Sequence, residues 1–189
     1  AERYGFRIES GRAGPQGNAA FVQIFDQLEA IHSSNPVDVV LITGDMTDAG
    51  RSAEWAVFLD QISAYPALAE RTLILPGNHD LNVVDRANPA RLELPISPGK
   101  PLRQMRTLSA MEFIQGRRAH VFDREKRRIG RTLAEVLEPH RDLISEFSDQ
   151  PSLRHASELA RLWIKCFPLI VPPPASGGVG CVILNSNQT

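Results

Sequence analysis

Cysteine is scarce in this chain: 189 residues hold only Cys166 and Cys181. The pair has neither metal-ligand nor redox spacing, so the expectation is two buried thiols in a reducing compartment rather than a disulfide framework. Charge of one sign is also lacking. The formal net charge is −1, too small to steer any partner by the overall field. No apolar run approaches the roughly 20 residues that span a bilayer, and no secretory leader is visible. The sequence therefore reads as cytoplasmic, with no membrane partner. A hydrophobic content of 42% is enough to bury a core.

Against these absences stand two short motifs, each closing an apolar run. Residues 39–42 form a β-branched stretch that leads into Thr43-Gly44-Asp45 and the segment GDMTDAG at 44–50. Residues 72–75 repeat the plan, broken by Pro76-Gly77 and followed by Asn78-His79-Asp80. Each run reads as a buried parallel strand with a loop at its carboxyl end. In open α/β sheets, sites collect at that end, so adjacent strands would bring Asp45, Asn78 and His79 to one rim.

The residue types have a chemical logic. A carboxylate bridges two hard or borderline divalent ions, and an amide oxygen suits the same ions; Asp45 and Asn78 fit these roles. Phosphoester hydrolysis needs an activated water, neutralised phosphoryl charge and a proton for the leaving alkoxide, which His79 could donate. A histidine does this best when a carboxylate fixes its tautomer, and Asp80 is the neighbour expected to do so. Gly44 and Gly77 are expected to let the backbone approach closely at the two turns. On their own, such pairs are also ordinary turn chemistry, and Asp48-Ala49-Gly50 could simply cap a following helix.

Taken in order, the motifs resemble the middle two of the calcineurin-like metallophosphoesterase superfamily, whose signature runs D-x-H, G-D-x-x-D, G-N-H-D, a lone His and G-H-x-H. The resemblance implies Asp45 as metal-bridging carboxylate, Asn78 as ligand of the second metal and His79 as the acid near the leaving group. Asp48 and Asp80 match positions that support the site from behind. It further implies two divalent ions (manganese, iron or zinc), a phosphoester substrate, and a β-sandwich flanked by helices. The GDMTDAG form looks most like the cyclic-nucleotide phosphodiesterase-like branch. No D-x-H or G-H-x-H occurs in the chain. The expectation is a fragment, inactive alone, whose residues 1–17 suit the loop after a missing strand.

Between the motifs, Phe21, Ile24, Leu28 and Ile31 recur at helical spacing up to Asn35-Pro36, and Trp55, Phe58, Leu59 and Ile62 form a second stripe that should pack on the sheet. This is a β-α-β order with a parallel strand pair. Pro89, Pro95, Pro98 and Pro101 then mark a long loop, and a charged, mainly helical stretch follows to about Phe167. The division expected is 1–88 for the first part of the domain, 89–171 for a helical insertion or cap, and 172–189 for the return to the core. Leu133, Val136 and Leu137, like Leu159, Leu162 and Trp163, have the spacing of packed helix faces. Residues 179–184 read as a third buried strand.

Within the insertion, Arg117, Arg118, Arg124, Lys126, Arg127, Arg128 and Arg131 face only Asp123 and Glu125. Such a run could attract phosphate substrates or nucleic acid, but the preferred reading is a solvated helix face. His120, His140 and His155 stand outside any motif and read as surface or packing residues. The function expected is metal-dependent hydrolysis of phosphomonoesters or phosphodiesters through a two-metal site. The alternative is a catalytically degenerate binding or regulatory module of the same fold.

Overall fold

The computed structural model describes residues 14–82, 98–174 and 178–185. Helix α1 (Gly14–Ser34) opens the described chain, so residues 14–17 belong to a helix and not to the expected loop. It ends before Asn35-Pro36, where proline disfavours helical backbone in the residue ahead of it. Phe25 is buried and Phe21 and Leu28 pack beside it, whereas Ile24 and Ile31 face solvent. The apolar stripe is thus narrower than its spacing suggests.

Strand β1 (Val40–Ile42) pairs in parallel with β2 (Thr72–Ile74), in the register Val40 to Thr72 and Ile42 to Ile74. Between them lie α2 (Ser52–Ser63) and the one-turn α3 (Pro66–Ala69). Trp55, Phe58 and Ile62 recur on one side of α2 and are buried in the hydrophobic core, as an amphipathic helix requires. The buried carboxylate of Glu54 accepts the N–H groups of Ala49 and Arg51 at 3.1 and 2.9 Å, so Glu54, not Asp48, satisfies the start of α2. β2 is buried along its length, but Leu41 of β1 is 53% exposed. One face of β1 is therefore open, contrary to the fully buried strand expected.

Asn78–Leu81 form a single helical turn, α4, where a loop was expected. Helix α5 (Gly99–Gln115) follows. Pro98 precedes it and Pro101 lies in its first turn, where a missing N–H leaves no intrahelical bond unmade. Pro89, Pro95 and Gly177 lie outside the described residues. Met105, Leu108 and Met111 of α5 are fully buried, and the helix packs against β2, α2, α4 and α8 (Leu153–Lys165). Gln115 at its end bonds the edge of β2, accepting from Ile74 N at 2.7 Å and donating to Ile74 O at 3.2 Å.

The basic segment is not a helix face. His120–Asp123 (β3) and Arg128–Thr132 (β4) form an antiparallel hairpin whose turn holds Arg127 at φ 49°. After it come α6 (Leu133–Leu137), a 3₁₀ turn, α7 (Arg141–Asp149) and α8. Leu133, Val136, Leu137, Leu159, Leu162 and Trp163 are all buried, as their spacing indicates. β5 (Leu169–Val171) and β6 (Cys181–Ile183) complete a second, antiparallel sheet of order β4-β3-β5-β6. Strand β6 does not join the parallel pair. Ile183 is buried, while Val179, Val182 and Leu184 are each more than 60% exposed, so the expected buried strand is half-covered. The fold is mixed α/β with two small sheets, and no described helix is long and apolar enough to cross a membrane.

Candidate active site

Parallel pairing sends both motifs off the same end of the β1-β2 sheet. After β1 the chain turns through Gly44 at φ 116° and Asp45 at φ 57°. A non-glycine residue held there costs on the order of 1 kcal/mol and persists only where its surroundings fix it. Asp80 does the fixing. Its carboxylate, fully buried, accepts four hydrogen bonds: from Asp45 N (3.0 Å) and Gly77 N (2.9 Å) on Oδ2, and from Thr47 N (2.9 Å) and Thr47 Oγ1 (2.8 Å) on Oδ1. Thr47 Oγ1 in turn accepts Gly50 N at 3.1 Å. One side chain thereby ties the GDMTDAG turn to the PGNHD turn. Burial raises the Asp80 pKa above its ordinary 3.8; the bonds from Gly77 and Thr47 oppose the rise, and the Asp45 charge adds to it.

The two turns touch through glycine. A Cβ on Gly44 would strike the Gly77 backbone, and a Cβ on Gly77 would strike the Asp45 amide and carboxylate. Across this contact Asp45 Oδ1 accepts the N–H of His79 at 3.0 Å. The Asp45 carboxylate thus lies over the start of α4, beside Asn78. Asp45 and Asn78 are both exposed, while His79 is half-buried.

The imidazole of His79 is oriented by Asp48 and not by Asp80. Its Nδ1 lies 3.2 Å from the carbonyl of Asp48 and 3.5 Å from Asp48 Oδ1. A carbonyl only accepts, so the contact assigns the proton to Nδ1 and leaves Nε2 for the rim. The expected pairing with Asp80 fails because that carboxylate points inward and its oxygens are taken by Thr47, Asp45 and Gly77.

Sequence reasoning passed over several supports. Arg103 donates from Nε to Leu81 O at 2.8 Å, and Arg106 from Nη1 to Gly50 O at 3.2 Å. They sit one helical turn apart on α5 and brace the ends of both motif segments. Burial lowers the pKa of each guanidinium. Their positions three apart were readable as one helix face, but their targets, being backbone carbonyls, carry no sequence signal.

Asp45 and Asn78 offer oxygen donors of the kind divalent ions take. Among the described residues no three His, Cys, Asp or Glu side chains converge to hold a metal. The pair therefore fits part of a coordination shell, not a closed one. A hollow of about 790 Å³ does not serve the motifs, for it is lined by Glu70, Glu112, Phe113, Arg118 and Arg141. Arg118 reaches Thr72 O at 2.7 Å, at the amino end of β2, the end opposite the motifs.

Parallel strands, two glycine-hinged turns and a carboxylate at a strained backbone position thus bring Asp45, Asn78 and His79 to one rim. Residues 14–162 match the family model for calcineurin-like phosphoesterase, and the chain belongs to that family. Its members in general hydrolyse phosphoesters with divalent metals. Neither curated proteins nor solved structures gave a match.

Proposed function

We propose that this protein hydrolyses phosphomonoesters or phosphodiesters at the rim formed by GDMTDAG and PGNHD. Asp45 and Asn78 would hold the divalent ions, through a carboxylate and an amide oxygen. Manganese, iron and zinc all suit these donors. When bound, the ions polarise the phosphoryl group and neutralise its charge. His79, protonated, delivers its Nε2 proton to the departing alkoxide, while Asp48 holds the ring through Nδ1 and Asp80 holds the turn that carries it. The single observation that supports this reading most is the Asp80 network, which spends a buried carboxylate on keeping Asp45 at φ 57° next to Asn78 and His79.

The same reading takes the parallel pair as part of the family's β-sandwich. It treats 89–171 as an insertion anchored on β2 by Gln115, between a first part at 1–88 and a return at 172–189. The GDMTDAG form favours the cyclic-nucleotide phosphodiesterase-like branch. Two unpaired thiols fit a cytoplasmic setting.

The test is hydrolysis of bis-p-nitrophenyl phosphate with manganese, using protein expressed from the complete reading frame. Metal-dependent turnover that falls at least 100-fold, as estimated for loss of a positioned acid or a metal ligand, in both His79→Ala and Asp45→Asn is expected. A folded protein without turnover would overturn the hydrolase and leave the binding-module alternative.

A further inference from the structure

The charge of this chain is unevenly placed: seven basic and two acidic side chains fall within residues 117–131, although the whole carries only −1. The hairpin concentrates that charge, and part of it lies across a groove from α8. There a groove of about 550 Å³ is lined by Arg124 and Arg131 of the hairpin and by Arg161 and Lys165 of α8. Arg161 and Lys165 are four residues apart, hence on one face and about 6 Å apart along the axis. Arg124 is held in place, donating from Nη2 to Phe167 O at 3.0 Å. Of the two acids at the groove, Asp123 is engaged with its own turn, accepting Lys126 N at 3.0 Å, and Glu125 is exposed. All four cations are likewise exposed, and they outnumber the acids along the groove.

We propose that this groove binds the sugar-phosphate backbone of single-stranded nucleic acid. A spacing of about 6 Å lets Arg161 and Lys165 meet different phosphates of one strand, whose stacked rise is about 3.4 Å per nucleotide. A groove flanked by exposed cations on two elements suits a thin strand, whereas a flat bilayer or the convex outside of a duplex meets only its rim. Phe122 is the groove's one aromatic residue and is half-buried. Base stacking is thus weak and binding is indifferent to sequence. The hairpin springs from the amino end of β2 through Arg118, away from the motif rim, so binding needs no metal.

The experiment is fluorescence anisotropy of a labelled oligodeoxythymidylate of about 12 nucleotides, in EDTA, so that the result is independent of the hydrolase reading. With up to four phosphates neutralised, affinity is expected to fall roughly 50-fold between about 50 and 200 mM salt. Arg161→Glu with Lys165→Glu is expected to weaken binding at least tenfold. Arg154→Glu, an equal charge change per site on the same helix but outside the groove, is expected to change it less than twofold. Melting followed by circular dichroism shows that each variant folds, and the salt slope of the unaltered chain needs no variant. Absence of binding at low salt, a slope near zero, or equal loss in Arg154→Glu would overturn the proposal. So would stronger binding to duplex, or to phosphatidylserine vesicles, with the same dependence on Arg161 and Lys165.

Discussion

Asp80 Oδ2 accepts the backbone N–H of Asp45 at 3.0 Å across 35 residues of chain. The same oxygen accepts Gly77 N, so a single atom sets the separation of the two motif turns. Asp80→Ala leaves four donors without their acceptor, and each buried donor so stranded costs about 1–3 kcal/mol before relaxation. A loss on the order of 3 kcal/mol is expected by urea denaturation. Asp80→Asn is expected to lose part of that, because its NH₂ would meet N–H donors on one side. A loss below about 0.5 kcal/mol in the alanine variant would show that the turns hold without Asp80.

Gly77 packs on Asp45 with no room for a methyl group. Gly77→Ala is therefore expected to cost about 1–3 kcal/mol, as overpacking does, and to remove hydrolysis along with it. Gly116→Ala, whose added methyl meets the backbone of Glu112, should leave hydrolysis intact in the folded variant. Equal activity loss in both would separate the Gly77 contact from the chemistry.

Gln115 joins α5 to β2 by bonding both backbone groups of Ile74. Gln115→Leu keeps the bulk but strands a buried N–H and carbonyl, for an expected cost of about 2 kcal/mol. Hydrogen exchange should speed up at the Ile74 amide above all. Unchanged protection there would contradict the role given to this side chain.

The two thiols should differ in reactivity. Cys166 is fully buried, and burial pushes its thiol up to about 12, against an ordinary 9.0. Because the thiolate is the nucleophile, Cys166 stays protonated and unreactive at pH 8 in the folded chain. Iodoacetamide is expected to add one group, at the half-buried Cys181, in the native protein and two in denaturant, as counted by mass spectrometry. A second native adduct would show that Cys166 is reached through opening of the fold.

Much of the site's frame was legible in the sequence, because β-branched runs that end in Gly-Asp and Pro-Gly-Asn-His-Asp carry both strand and turn signals. The family followed from their order. What stayed hidden depended on direction in space. Asp80 adjoins His79 in sequence and Asp48 lies 31 residues before it, and only the fold shows that Asp48 meets the imidazole while Asp80 turns inward. The hairpin was hidden by its charges. Arg128, Arg131 and the basic turn mask the alternation of His120-Val121-Phe122 and Ile129, so a charge run read as helix. Ile24 and Ile31 matched a helical period yet face solvent, since spacing marks a side of the helix but not how much of it is covered. Residues 179–184 read as buried because they are apolar, whereas β6 has only one covered face.

The proposed chemistry depends on Asp45, held by Asp80, serving as a metal carboxylate. Electron paramagnetic resonance of Mn²⁺ titrated into the protein from the complete reading frame tests it most directly. Saturable binding is expected, weakened at least tenfold, as estimated for removal of a metal ligand, in Asp45→Asn and Asn78→Ala and unaltered in Arg154→Glu. Equal Mn²⁺ affinity in all four proteins would contradict the account.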